Sequence, residues 1–249
     1  MKKMIQEMLG RVSTEPDTDA DIVFCIDGTG SMTPLIDKVK KMTLSFPEEL
    51  NARLGASGRA VRRLRVKVIV FRDFYVDGQD AMTQSEFFEL PEENDRFIEF
   101  VSAIRADGGG DIPESSLEAL AEAMKSDFLT GPGRKRHIIL LFTDAPAHEL
   151  EKQMEGVEEN YPDSMFSSTD ELFEAWNGMT QESLGADEIP VTKLQKKAKR
   201  LGIFAPNVWP WDDAEKNLEY VIRKDLKADN GGADLDMEDV YSFLVKSME

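Results

Sequence analysis

Two unbroken apolar runs, each ending in an aspartate, constrain this chain more than any other feature. Asp21-Ile-Val-Phe-Cys-Ile-Asp27 and Arg136-His-Ile-Ile-Leu-Leu-Phe-Thr-Asp144 are short and rich in β-branched or large apolar residues, and turn-forming residues follow each. Runs of this kind read as strands covered on both faces, the condition of a parallel sheet packed between helices. Helical spacing fills the intervals. Pro34 opens a segment in which Leu35, Val39, Met42 and Phe46 recur on one face, and Phe97, Phe100, Val101 and Ile104 mark another.

A further strand is expected at Arg65–Phe71, and a short edge strand at Phe87, Phe88 and Leu90. A helix is expected from Pro113 to about Phe128, and a basic helix from Lys193 to Arg200, its lysines on a solvated side. A strand at Gly202–Val208, a helix through about Arg223 and a last helix carrying Val240, Phe243 and Leu244 complete the reading. Residues 149–188 are acidic and poor in β-branched residues. They read as an insertion with short helices of its own, one with an apolar face of Leu172, Phe173 and Trp176. Alternating strands and helices imply right-handed crossovers. The expected fold is α/β, a doubly wound, mostly parallel six-stranded sheet with one antiparallel edge strand and helices on both faces. Residues 1–20 form a lead-in, 21–225 the domain, and 226–249 a loop and helix packing on it.

In such sheets ligands bind beyond the carboxyl ends of the strands, at the switch point. Asp27 and Asp144 both fall there. Asp27-Gly28-Thr29-Gly30-Ser31 places an acid and two hydroxyls two residues apart on a turn. Carboxylate with hydroxyl oxygens is a donor set for a hard cation such as Mg²⁺, Mn²⁺ or Ca²⁺. By itself the same spacing also suits turn residues that satisfy backbone amides.

The segment resembles the metal-ion-dependent adhesion site of von Willebrand factor A domains, whose signature is Asp-x-Ser-x-Ser after the first strand. Thr29 stands for the first serine and keeps the hydroxyl. Thr143-Asp144-Ala145-Pro146 resembles the family's later strand-ending aspartate. Gly108-Gly109-Gly110-Asp111-Ile112-Pro113-Glu114 occupies the place of its second loop, with Asp111 where most members have threonine. Integrin β subunits and several intracellular A domains carry such an acidic Asp-x-Pro-Glu loop. Tyr161-Pro162 and the segment from Phe204 to Trp211 resemble bacterial intracellular members. The resemblance implies a metal site of Asp27, Thr29, Ser31, Asp111 and Asp144, with Glu114 as a possible further ligand. It implies a protein partner docking at the metal face, and a non-enzymatic scaffold or regulatory role in a multiprotein assembly. The extra acids bring the site to about −3 or −4 before a cation binds, which raises their pKa values. Tighter metal retention and weaker capture of a partner's carboxylate are therefore expected.

Ile26-Asp27-Gly28-Thr29 also looks like the first motif of haloacid-dehalogenase-like phosphatases. There, however, the nucleophilic aspartate's position falls on Cys25, which cannot form an aspartyl phosphate. Cys25 reads as an inert core thiol. His148 reads as a plain loop histidine rather than one lining the site rim, Asp73 and Asp77 as loop acids rather than indirect neighbours of the metal, and Trp209-Pro210-Trp211 as packing around a proline turn rather than an exposed partner patch. A formal charge of −18, from 48 acidic against 30 basic residues, repels nucleic acid and anionic membranes and suits cations and basic protein surfaces. One cysteine allows no intrachain disulfide. The first ten residues lack a signal-peptide core, and no stretch nears the roughly 20 apolar residues of a membrane span. The expected location is the cytoplasm.

Overall fold

The computed structural model describes residues 18–110, 112–150, 161–162, 165–178 and 193–249. Asp111 and most of the expected insertion lie outside the described residues. Among these residues seven strands form one sheet: β1 (Thr18–Asp27), β2 (Val61–Phe71), β3 (Met82–Gln84), β4 (Phe88–Leu90), β5 (Arg134–Phe142), β6 (Lys199–Ala205) and β7 (Val221–Asp225). Their order is β3-β2-β1-β5-β6-β7, with β4 also on β2. β1, β2, β5, β6 and β7 run parallel, while β3 and β4 run antiparallel to β2. The sheet is thus doubly wound and mostly parallel, as expected.

The expected single edge strand is present in two pieces. Val70 pairs with Thr83 and Val66 with Phe88, so the edge gains one residue between them. Ser85 occupies the break: its amide donates to the Val68 carbonyl at 2.9 Å and its Oγ accepts from the Val68 amide at 3.0 Å. A side chain takes over one rung of the ladder, which is how one edge position becomes two short strands.

β1 is buried along its whole length, and β5 along all but its first residue. Alternate side chains enter two cores. Ile22, Phe24 and Ile26 join Ile138, Leu140, Phe142 and Phe204 on one face. That face is covered by α1 (Thr33–Thr43), α2 (Phe46–Ala56), α3 (Asn94–Ala103) and α7 (Met237–Ser247). Val23, Cys25, Ile139, Leu141 and Ile203 face α4 (Ser116–Met124), α5 (Thr169–Asn177) and α6 (Ala214–Asn217). Leu172, Phe173 and Trp176 form the apolar face of α5 and pack there. α4 lies between the sheet and α5, and eight of its nine residues are buried.

Several boundaries differ from the sequence reading. The first strand begins at Thr18, inside the expected lead-in, because Thr18 and Asp19 pair with both β2 and β5. The expected first helix is two helices, broken at Leu44 and Ser45, with Pro47 in the first turn of the second. The basic helix at Lys193–Arg200 is a turn leading into β6: Lys199 pairs with His137 and Arg200 with Ile138. The helix expected through Arg223 is only α6, after which Val221–Asp225 adds β7 to the sheet edge. In both cases pairing with an already formed neighbour overrides a polar composition that favours helix or loop. The Trp-Pro-Trp turn divides: Trp211 is fully buried and Trp209 is exposed. No helix among the described residues is long and apolar enough to cross a membrane.

Candidate metal centre

The parallel strands direct all their carboxyl ends to one end of the sheet. β1 separates the arm made by β2 from the arm made by β5, so Asp27 and Asp144 flank the switch point. Asp27 is fully buried, and its carboxylate is held from three directions. Oδ1 accepts from the Thr29 amide at 3.0 Å and from Thr29 Oγ1 at 2.6 Å; Oδ2 accepts from Thr143 Oγ1 at 2.7 Å. Thr29 Oγ1 lies 3.3 Å from Ser31 Oγ, which donates to Asp144 Oδ1 at 3.1 Å. The Gly231 amide donates to Asp144 Oδ2 at 2.7 Å. Four side chains from two strand ends thereby form one line of oxygens, with Asp27, Thr29 and Asp144 buried and Ser31 at the exposed lip.

The second loop closes on this line. The Gly30 amide donates to the Gly108 carbonyl at 3.3 Å, and the Asp107 amide to the Gly28 carbonyl at 3.0 Å. Gly109 has φ +70°, and a Cβ there would sit 2.8 Å from the Thr29 side chain. A glycine is therefore required both by conformation and by contact. Asp77 accepts from the Gly109 amide with both oxygens, at 3.2 and 3.1 Å. Arg72 donates to the carbonyls of Asp107, Asp80 and Arg105 at 2.7, 2.6 and 3.0 Å. These two residues lock the loop against the end of β2. Asp111 itself lies outside the described residues.

Glu114 is brought to the site through its backbone: its amide donates to the Pro146 carbonyl at 3.0 Å, and its carbonyl accepts from the His148 amide at 3.0 Å. The side chain is 4% exposed, and Oε2 is buried without a hydrogen-bond partner among the described residues. Burial, followed by the charges of Asp27, Asp73, Asp77 and Asp144, pushes its carboxyl up to about 9. Burial pushes Asp27 up to about 6 against the opposing hydrogen bonds of Thr29 and Thr143. Buried carboxylates that repel one another are costly to keep ionised unless they share a cation. The spacing suits one: cis oxygens around an octahedral Mg²⁺ are roughly 3.0 Å apart, against the 3.3 and 3.1 Å seen along Thr29, Ser31 and Asp144. Among the described residues no group of three or more His, Cys, Asp or Glu is placed to hold a metal ion. The donor set that fits is hydroxyls with carboxylates, and its members are Thr29, Ser31 and Asp144, with Asp27 aligning Thr29 and Glu114 alongside.

Asp73 is 1% exposed, and its Oδ1 accepts from the Tyr75 amide at 2.8 Å. His148 Nε2 lies 3.2 Å from the same oxygen, so this histidine lines the rim paired to an acid. Cys25 faces the opposite way, its Sγ 3.7 Å from the Ala119 carbonyl, and burial raises its thiol pKa. Three functional contacts escaped the sequence reading: Thr143 on Asp27, Gly231 on Asp144 and Arg72 on the second loop. Thr143 adjoins a recognised motif residue and was the only one of the three with a local signal.

Comparison with known proteins agrees with this fold. A sequence model of the von Willebrand factor A domain matches residues 85–164, the stretch that contains the second loop, Glu114 and Asp144. The alpha-protein kinase vwkA of Dictyostelium discoideum is 28% identical over 142 residues, covering 57% of this chain and 20% of the kinase. The pilus adhesin SpaC of Lactobacillus rhamnosus GG has a similar fold, with a TM-score of 0.53 at 11% identity, over 93% of this chain and 30% of the adhesin. The fold and the family match support a von Willebrand factor A domain. The chain spans a fifth of the kinase and under a third of the adhesin, so the activities of those whole proteins remain theirs.

Proposed function

We propose that this chain is a divalent-metal-dependent protein-interaction module, non-enzymatic, serving as an intracellular scaffold or regulatory subunit of a multiprotein assembly. The observation that carries the reading is the continuous line of oxygens from Asp27 through Thr29 and Ser31 to Asp144. It lies where a doubly wound sheet binds ligands. Thr29, Ser31 and Asp144 would hold Mg²⁺, or Mn²⁺ or Ca²⁺, with Asp111 or Glu114 completing the charge. A bound ion supplies a fixed positive centre that ties three loops together. Asp27 holds the Thr29 hydroxyl in place, Thr143 holds Asp27, and the Gly231 amide fixes Asp144.

Two placements support a binding role over hydrolysis. Cys25, at the position of a phosphatase nucleophile, is buried behind the sheet against α4. His137 is buried at the opposite end of β5, its Nε2 2.9 Å from the Leu129 carbonyl. The test is calorimetric titration of Mg²⁺, Mn²⁺ and Ca²⁺ into wild type and into Asp27→Ala, Asp111→Ala and Asp144→Ala. Saturable binding near one ion per chain, lost in Asp27→Ala and Asp144→Ala, is the expected result. Retention in Asp111→Ala would assign the second-loop role to Glu114. Wild type without any saturable binding would sink the metal reading. Turnover of a phosphate ester, lost in the same variants, would sink the non-enzymatic one.

A further inference from the structure

The metal end of the sheet carries two features outside the candidate ligands. A cavity of about 590 Å³ opens beside Gly108, between the loop after β2 and the end of α3. Its apolar lining includes Val70, Phe100 and Ile104, and Asp80 and Asp107 lie on its exposed margin. Arg72 and Arg105 also border it; the Arg72 guanidinium keeps its charge but has its donors on three backbone carbonyls. In the loop after β2, Tyr75 and Val76 are 38% and 51% exposed, two of the seven large hydrophobics so exposed among the described residues. Val76 lines the cavity itself.

The charge at this end is lopsided. Asp27, Asp73, Asp77, Asp80, Asp107 and Asp144 stand against Arg72, Arg105 and Lys40, whose ammonium donates to the Ile104 carbonyl at 2.7 Å, so one divalent ion still leaves a surplus of negative charge. A partner carboxylate approaching the ion meets that surplus; a cationic side chain is attracted by it. Lysine and arginine combine an apolar stem with a charged head, which matches an apolar cavity with an acidic margin.

We propose that this end docks a basic amphipathic segment of a partner protein, a lysine or arginine side chain entering the cavity beside Asp80 and Asp107 while apolar neighbours cover Tyr75 and Val76. The proposal rests on the interaction reading above and names the chemistry of the partner. The apolar contacts supply most of the affinity, and the acidic margin supplies selectivity and association rate.

The probes are a synthetic amphipathic leucine–lysine peptide and its leucine–glutamate counterpart, followed by fluorescence anisotropy with Mg²⁺ present. The lysine peptide is expected to bind and the glutamate peptide not. Asp80→Asn with Asp107→Asn weakens binding roughly tenfold, the scale of two charge contacts, and Val76→Ser weakens it further. Neutralising exposed Glu48 and Glu174, on α2 and α5, leaves binding unchanged. An equal loss in that control would mean general attraction to an acidic protein and would overturn the proposal, as would preference for the glutamate peptide. Self-association of the chain abolished by the Asp80 and Asp107 changes would overturn it in favour of a second copy as occupant. Mg²⁺ titration of the same proteins keeps two failures apart. Lost peptide binding with intact metal binding in wild type overturns the docking proposal alone, whereas absent metal binding overturns the reading beneath it.

Discussion

Strand β1 carries buried aspartates at both ends, and their surroundings differ in kind. At the amino end Asp21 accepts from Arg65 with both oxygens, at 2.8 and 2.7 Å, and from the Leu129 amide at 2.6 Å. Asp19 is gripped by Arg62 at 2.9 and 2.7 Å and by Lys135 at 2.9 Å, and the Arg62 hydrogen bond holds its carboxyl below the usual range. At the carboxyl end Asp27 has two threonine hydroxyls and one amide but no cation, and burial drives its pKa upward. Glu114 beside it keeps a buried oxygen without a partner among the described residues. One end of the sheet has its acids neutralised by the chain's own basic residues. The other holds the acids of the proposed metal site. Fold stability draws on the first arrangement, and the proposed function on the second.

The comparison breaks most easily at Asp21. Asp21→Ala leaves Arg65, whose side chain is 13% exposed, without its partner. A loss of about 3–5 kcal/mol is expected, the cost of breaking a buried pair, read as a lower urea midpoint. If Asp27→Asn were equally destabilising in metal-free buffer, the two ends would not differ as described. Next in size is the metal itself. Mg²⁺ at a hundredfold excess over its Kd should add about 2.7 kcal/mol to wild type, a rise of roughly 5–10 °C in melting temperature. Asp144→Ala should show no such rise.

A pH series sharpens the contrast by sign. Glu118 is fully buried near the acidic end; burial raises its carboxyl from 4.5 to about 7, opposed by its hydrogen bond from the Tyr161 hydroxyl at 3.0 Å. A raised acid is protonated when folded and ionised when unfolded between those values. Its penalty is therefore absent below pH 4.5 and grows until about pH 7. Glu118→Gln should be more stable than wild type at pH 8 and indistinguishable at pH 4. Asp19, with a lowered pKa, acts oppositely: its contribution is present above 3.8 and lost as pH falls through the folded value. The smallest effect on stability belongs to exposed Ser31. Ser31→Ala should stay within about 0.5 kcal/mol of wild type while weakening Mg²⁺ binding by roughly tenfold, the loss of one oxygen contact. Unchanged metal affinity in that variant would remove Ser31 from the donor set.

Much of the candidate site was legible in the sequence, because its parts are local. Asp27, Thr29 and Ser31 share one turn, and Asp144 ends an apolar run that can only be a buried strand or helix. The contacts that orient them were not legible. Gly231 reaches Asp144 across 87 positions of sequence, and a Cβ on it would stand 2.0 Å from the Ser31 carbonyl. Arg72 looks like any surface arginine until the Asp107 and Arg105 carbonyls are placed around it.

The fold divides the same way. Continuous hydrophobicity in β1 and β5, and the helical spacing of Leu35, Val39 and Met42, determined a parallel sheet with helices packed against it, since each pattern has one way to bury its apolar side chains. The apolar run placed a strand at Gly202–Val208, but the polar start of β6 and the whole of β7 could not be read from the sequence. Lys199 is 1% exposed, its ammonium donating to the Trp176 carbonyl and lying 5.0 Å from the indole centre. Only α5, placed by tertiary packing, makes a lysine acceptable at the start of a buried strand. Val221-Ile-Arg-Lys-Asp225 has the polarity of a loop and becomes a strand because the edge of β6 offers it hydrogen bonds. Local patterns report what a segment must bury; what a polar group meets once buried is decided by residues distant in sequence, and by the fold that brings them near.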